Sequence, residues 1–128
     1  MSESVQDLIA QARAQIDNLP VDEVAKAVEG GGVTLVDLRE PGEVEQEGTI
    51  PGAVLAPRGM LEFYADPASP YHRAEFDPAG TVILFCASGG RSALAARTLQ
   101  SLGYRDVAHL DGGLKAWKDA GRPTTRQN

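Results

Sequence analysis

The stretch Thr81-Val-Ile-Leu-Phe-Cys-Ala-Ser-Gly-Gly-Arg-Ser92 decides the fold, because it has the pattern of a buried strand that leads into a helix. Its first five residues form an unbroken apolar and β-branched run, which is typical of a strand buried on both faces in a parallel sheet. Apolar positions from Leu94 to Leu102 then recur at helical spacing, and Gly103 follows as a helix stop. The sequence therefore predicts Cys86 at the C-terminal end of a strand, in a loop that opens a helix.

This loop has the features of an anion-binding site. Ligands of open α/β sheets bind beyond the carboxyl ends of the strands, where the next helix offers unpaired backbone N–H groups. Glycines in the loop let the backbone curl around the sulfur atom, while the N–H dipoles and Arg91 favour the nucleophilic thiolate of Cys86. Cys86 and Arg91 are the predicted catalytic residues. The predicted substrate-binding residues are Ala87, Ser88, Gly89, Gly90 and Ser92.

Four motifs, in order along the chain, carry a resemblance to a known family. The Cys86 loop resembles the active loop of rhodanese-like single-domain sulfurtransferases, and residues 36–40 (VDLRE), 47–53 (EGTIPGA) and 110–117 (LDGGLKAW) agree with it. The resemblance spans about residues 19–122 and implies a cysteine that carries sulfur as a persulfide. Two features depart from the family pattern: Thr49 stands where His is more usual, and residues 60–78 are longer than the shortest connections.

The predicted fold class is α/β, with a mostly parallel five-stranded sheet and helices on both faces, as in rhodanese-like domains. The alternation of strands and helices requires right-handed crossovers, which give this arrangement. The predicted strands lie near residues 19–21, 33–37, 53–55, 82–86 and 107–110. Residues 1–18 are predicted to be an N-terminal helical extension, residues 19–122 the rhodanese-like domain, and residues 123–128 a polar tail. We interpret the extension as packing on the flank of the domain, with a dimerisation or docking element as the alternative.

Other polar residues fall at the same edge of the predicted sheet. Asp37, Arg39 and Glu47 are predicted to form a polar network that braces the loops, because charged side chains near a core are usually paired. The alternative is that Arg39 adds to the positive electrostatic potential at the site.

The insertion at residues 60–78 is expected to form a wall of the site, since it follows the C-terminal end of a strand. Candidate substrate contacts here are Arg58, Tyr64, His72 and Arg73, whose alternative is an ordinary loop or core role. His109 is predicted to be a packed or hydrogen-bonded sheet residue.

The composition argues against several classes of partner. A chain of 128 residues, 42% hydrophobic, suffices for one domain with one core. Its net charge of −6 argues against binding to nucleic acid or acidic membranes, because phosphate affinity is built from Lys and Arg. The single Cys excludes an internal disulfide and argues against a thiolate zinc site. We expect no metal and no cofactor, and the absence of a signal-peptide pattern or a long apolar run favours a cytoplasmic protein.

The resemblance implies a sulfurtransferase that moves sulfane sulfur from a small donor such as thiosulfate to a thiol or cyanide, with a protein as a further possible acceptor. One alternative is a phosphatase or arsenate reductase, but these enzymes need one residue more than the four between Cys86 and Arg91. The other alternative is a non-catalytic sulfur-sensing or docking module, since a fold does not guarantee an activity. The sequence leaves the oligomeric state open.

Overall fold

A computed structural model describes residues 2–126 of the chain. The strands in this part are β1 Asp17–Leu19, β2 Val33–Asp37, β3 Val54–Leu55, β4 Thr81–Phe85 and β5 Asp106–Leu110. The α-helices are α1 Val5–Gln15, α2 Val21–Gly30, α3 Pro41–Glu47, α4 Leu61–Ala65, α5 Gly90–Ser101 and α6 Gly113–Asp119. A short 3₁₀ turn, Arg58–Met60, leads into α4.

The five strands form one sheet in the order β1-β5-β4-β2-β3, and every pair of neighbours is parallel. The predicted α/β fold is therefore confirmed, with a sheet that is wholly rather than mostly parallel. The central strand, β4, pairs with β2 from Val33–Thr81 to Asp37–Phe85. Because parallel strands end at the same edge, the residues that follow β2, β4 and β5 meet there.

Apolar residues cover both faces of the central strand. Val82 and Leu84 belong to a core cluster with α5, whereas Ile83 and Phe85 belong to a second cluster with α2 and α6. Successive side chains of a strand point to opposite faces, so an unbroken apolar run needs helices on both. This two-sided burial holds the end of β4, and with it Cys86, in a fixed position.

The first strand lies two residues earlier than predicted. β1 is Asp17–Leu19, which pairs with residues 108–110 of β5, and Pro20 is the N-cap of α2. A proline has no backbone N–H to donate, and its fixed φ suits the start of a helix. The predicted strand at 19–21 is therefore wrong in its bounds, because Pro20 ends the strand.

The segments at both ends of the described residues contact the domain. In the N-terminal segment, of which Met1 lies outside the described residues, α1 packs against α5 and buries Ala12. Of the predicted polar tail, residues 127–128 lie outside the described residues, but Thr125 exchanges two backbone hydrogen bonds with Thr49, at 2.7 and 2.8 Å. Trp117 Nε1 donates to the carbonyl of Pro123 at 2.7 Å. Within residues 2–126, no helix has the length and apolar character needed to cross a membrane.

Candidate active site

The loop after β4 curls around the sulfur of Cys86. The backbone N–H groups of Gly89 and Ser92 point at Sγ, with N···S distances of 3.2 and 3.4 Å. Gly89 has a φ of +114°, a conformation that side-chain-bearing residues rarely adopt, and it turns the chain into the first turn of α5. Cys86 is buried, with 1% of its surface exposed. The loop therefore offers converging N–H dipoles to a negative charge on this sulfur.

The start of α6 supports the loop from behind. The N–H groups of Leu114 and Lys115 donate to the carbonyls of Cys86 and Ala87, at 2.8 and 3.0 Å. Gly113 has a φ of +64°, and a Cβ atom there would lie 2.6 Å from each of these carbonyl oxygens. The turn between β5 and α6 therefore brings its backbone close to the Cys86 loop at Gly113.

Arg91 is paired with Glu43 of α3. Its two terminal nitrogens donate to the two carboxylate oxygens at 2.8 and 2.9 Å, which is a bidentate pair. This bond is the main cause that lowers the pKa of Glu43 to about 2 and raises the pKa of Arg91. A smaller contribution to the raised pKa of Arg91 comes from the nearby Cys86. Arg91 therefore lies at the Cys86 loop, and the carboxylate of Glu43 on another helix sets its orientation.

Sequence reasoning missed Glu43. The sequence around Glu43 carries only the pattern of a helix start. Glu43 is the third residue of a helix that begins at Pro41, and its side chain accepts the N–H of Glu40 at 2.8 Å in a capping box. That pattern predicts a helix start and gives no sign of Arg91, which lies 48 positions further along the chain.

The predicted polar network below the loops forms around Asp37. Arg39 donates to both carboxylate oxygens of Asp37, from Nε at 3.0 Å and from Nη2 at 2.8 Å. Thr49, at the position where the family more usually has His, donates its hydroxyl to the same carboxylate at 2.7 Å. Asp37, Arg39 and Thr49 are all buried. The third predicted member, Glu47, is instead exposed at the end of α3 and pairs with Lys118 at 2.9 Å.

The other predicted contact residues are held within and beside the insertion at 60–78. Arg58 pairs with Glu62 at 2.8 Å and reaches Thr98 of α5 at 3.3 Å. His72 Nε2 lies 2.9 Å from the carbonyl oxygen of Phe76. Arg73 lies over the ring of Tyr64, 5.0 Å from its centroid, and bonds to Glu75 and to the Leu55 carbonyl. The structure thus places these side chains in contacts that stabilise the insertion and its neighbours.

A cleft of about 440 Å³ opens beside the loop at Ala87. Its walls come from α3 and α6 rather than from the insertion that the sequence suggested. The lining residues are Arg39, Glu43, Gln46, Glu47, Ala87, Leu114, Lys115, Lys118 and Asp119. The lining contains three cationic and three acidic side chains, and Ala87 is the residue of the Cys86 loop that reaches it.

His109 lies behind the loop, in β5. It is buried, with Nδ1 2.8 Å from Ser92 Oγ and Nε2 2.7 Å from Asn18 Oδ1, in agreement with its prediction as a hydrogen-bonded sheet residue. Burial is the main cause that lowers the pKa of His109 to about 4; Arg13 lowers it further and Asp111 opposes both. Arg13 and Asp111 form an ion pair at 2.8 Å, and this hydrogen bond lowers the pKa of Asp111.

Residues 20–120 match the rhodanese-like domain family, and the chain belongs to that family. The chain is 36% identical over 91 residues to a sulfurtransferase from Allochromatium vinosum, an alignment that covers 71% of this chain and 77% of that one. It is also 36% identical over 96 residues to an uncharacterized Synechocystis protein, covering 73% of this chain but only 48% of that protein. The chain therefore spans about half the length of this second relative.

A solved structure from Rhodopseudomonas palustris CGA009 matches nearly the whole chain. The TM-score is 0.92 and the sequence identity is 39%, with 97% of this chain and 96% of that chain covered. That protein is described as one of unknown function and a possible tyrosine phosphatase. The match includes α1, so the N-terminal helix is a shared part of the two structures.

Proposed function

We propose that the chain is a sulfurtransferase that carries sulfane sulfur on Cys86 as a persulfide, from a donor such as thiosulfate to a thiol or cyanide. The observation that carries this proposal is the arrangement of Gly89 and Ser92, whose N–H groups both point at Sγ. Membership of the rhodanese-like family and the similarity to a relative named a sulfurtransferase support it.

In the first step, the Cys86 sulfur attacks the outer sulfur of the donor. A bond forms between the two sulfur atoms, the bond inside the donor breaks, and the leaving group, sulfite in the case of thiosulfate, departs with the electron pair. The product is a persulfide with a negative terminal sulfur. Backbone N–H dipoles at the loop and the nearby Arg91 stabilise that charge.

In the second step, an acceptor thiolate or cyanide attacks the terminal sulfur. The bond between the two sulfur atoms breaks and its electron pair returns to Cys86 Sγ, so the protein ends the cycle unchanged. This reaction needs no cofactor, because the transferred sulfur atom and its electrons come from the donor. The cleft beside Ala87 is the proposed entrance for the donor and then the acceptor.

A phosphatase is the second candidate, because the similar Rhodopseudomonas palustris protein is described as a possible tyrosine phosphatase. The short loop weighs against it here. Four residues separate Cys86 from Arg91, and the loop curls closely around the sulfur. The backbone nitrogens of Gly89 and Ser92 lie 3.2 and 3.4 Å from Sγ, so their N–H groups contact the sulfur itself. A phosphoryl group would need donors spread around three oxygen atoms further from the sulfur.

Three assays on the same protein preparations separate the candidates. We expect the wild-type chain to form thiocyanate from thiosulfate and cyanide, and Cys86→Ser to form none while its thermal melt is retained. Ser101→Ala, an exposed change on α5, serves as the control and keeps wild-type activity. Hydrolysis of an aryl phosphate by the wild-type chain but not by Cys86→Ser would favour the phosphatase instead. Absence of both activities would favour the non-catalytic module.

A further inference from the structure

A continuous chain of hydrogen-bond distances leads from the Cys86 sulfur into the body of the domain. Sγ lies 3.6 Å from Ser92 Oγ, Oγ lies 2.8 Å from His109 Nδ1, and the other ring nitrogen lies 2.7 Å from Asn18 Oδ1. Ser92 and His109 are fully buried and Cys86 is 1% exposed. On this side of the sulfur, the hydroxyl and the imidazole are therefore the groups that can take a proton.

Asn18 fixes the direction of these bonds. Its Nδ2 donates to the carbonyls of Arg13 and Ile16, at 2.9 and 3.2 Å, which leaves Oδ1 facing the imidazole. An amide oxygen can only accept, so Nε2 of His109 carries a proton and Nδ1 of the neutral ring is an acceptor.

The hydroxyl of Ser92 has one proton to give. The carbonyl of Gly89 lies 3.3 Å from Oγ and His109 Nδ1 lies 2.8 Å from it, so the shorter bond to the ring takes this proton. The lone pairs of Oγ then face Sγ, and the Cys86 thiol donates to them. Sulfur, hydroxyl and imidazole are thus connected in the order in which a proton would move.

We propose that this series of hydrogen bonds is a proton relay, in which His109 holds the Cys86 proton while the sulfur carries its persulfide. The inference rests on the sulfurtransferase function proposed above. As Cys86 Sγ attacks the donor, its proton passes to Ser92 Oγ and the Ser92 proton passes to His109 Nδ1. When the acceptor removes the outer sulfur, the electron pair left on Sγ takes the proton back along the same path.

The surroundings of His109 suit this role. The charged groups that face it are Arg13 of α1 and Asp111 after β5, which are paired with each other at 2.8 Å. Burial lowers the pKa of His109 to about 4, so the ring of the unloaded protein is neutral and its Nδ1 can accept a proton. A negative persulfide at the other end of the relay stabilises the imidazolium. The site then has the same total charge before and after loading, which limits the cost of burying either ion.

Two variants separate proton transfer from simple positioning. His109→Asn supplies an amide that can still bond Ser92 but cannot accept a second proton, and Ser92→Ala removes the connecting hydroxyl. Ser101→Ala is the matched control, an exposed serine on the same helix as Ser92. We expect at least a tenfold loss of thiocyanate formation in each of the first two variants and none in the control. A fully active His109→Asn protein with normal melting would overturn the relay.

The direct readout is the protonation of His109 in ¹⁵N-histidine-labelled protein, before and after loading with thiosulfate. His72→Asn identifies the signals of the only other histidine. Intact mass first establishes that one sulfur has been added; if none is added, both the relay and the sulfurtransferase function are overturned. With the sulfur present, we expect the ring to change from neutral, protonated at Nε2, to protonated at both nitrogens, and to revert on addition of cyanide. A ring that stays neutral in the loaded protein would overturn the relay alone.

Discussion

Arg91 of α5 is held by both carboxylate oxygens of Glu43 in α3, at 2.8 and 2.9 Å. This pair joins the first turn of α5, the helix after the Cys86 loop, to α3, one of the two helices that line the cleft. Glu43 therefore sets the position of Arg91, although Glu43 lies outside the Cys86 loop.

Glu43→Gln should reduce sulfur transfer more than it reduces stability. The amide keeps the shape of the side chain but loses the charge that orients Arg91. Since both side chains are more than a third exposed, we expect a loss of at most about 1 kcal/mol in the free energy of unfolding. Thiocyanate formation and urea unfolding measure the two effects, with the exposed Glu45→Gln of the same helix as control. Equal activity of the two variants would contradict the orienting role.

The same pair should contribute to the pH dependence of stability. The pKa of Glu43 is about 2 in the folded protein, below its ordinary value, so the folded state favours the charged carboxylate. Its contribution is complete above the unfolded pKa and is lost as pH falls toward 2. We expect Glu43→Gln to lose less stability than the wild type over this acid range, by urea unfolding at several pH values.

Arg91→Ala should lower turnover by about 100-fold, the usual cost of removing one preorganised charge-stabilising group. Arg97→Ala, on the same helix and exposed, is the control for loss of one arginine. Steady-state thiocyanate assays, with thermal melts alongside, would show whether turnover falls separately from stability. The role of Arg91 would be contradicted if both variants retained the wild-type rate.

Gly113→Ala tests the close contact between α6 and the loop. Its Cβ would lie 2.6 Å from the carbonyl oxygens of both Cys86 and Ala87, so the loop or the helix must move. Gly121 has a similar positive φ, +77°, but no atom within 4 Å of an added Cβ. Both alanine variants should lose about 1 kcal/mol from backbone strain, whereas only Gly113→Ala should also lose sulfur transfer. Melting curves and assays of both variants make this comparison.

His109 should make the protein less stable below neutral pH. Its folded pKa of about 4 is below the ordinary value of 6.5, so the unfolded chain binds a proton first as pH falls. Stability is therefore lost between about pH 6.5 and pH 4, by roughly 3 kcal/mol over this range. Urea unfolding of the wild type and His109→Asn at pH 7 and pH 4.5 should show a smaller pH effect in the variant. The same pH dependence in both proteins would show that His109 is not responsible.

The order of elements and the nature of the central loop followed from the sequence because their signals are local. An apolar run, small residues and a helical period are contiguous from Thr81 to Leu102, and they predict a strand, a loop and a helix without knowledge of any partner. The bracing of Arg39 by Asp37 also followed, because the two residues are neighbours in one motif.

The partners of the loop could not be predicted, since each comes from a distant part of the chain. Glu43 pairs with Arg91 across 48 positions, and His109 reaches Asn18 across 91. Glu43 and Glu47 lie one helical turn apart in an acidic helix, and only the packing of α3 decides which of them meets the loop. The walls of the cleft were missed for the same reason, because α3 and α6 meet only in the folded domain.

The most direct measurement of the central claim is the intact mass of the protein after incubation with thiosulfate and removal of the excess. We predict a gain of one sulfur atom in the wild type and none in Cys86→Ser. The added sulfur should persist, because Cys86 is the only cysteine and no second thiol in the chain can remove it. Cyanide or glutathione should then return the mass to its starting value. An unchanged mass in the wild type, or the same gain in Cys86→Ser, would contradict a Cys86 persulfide.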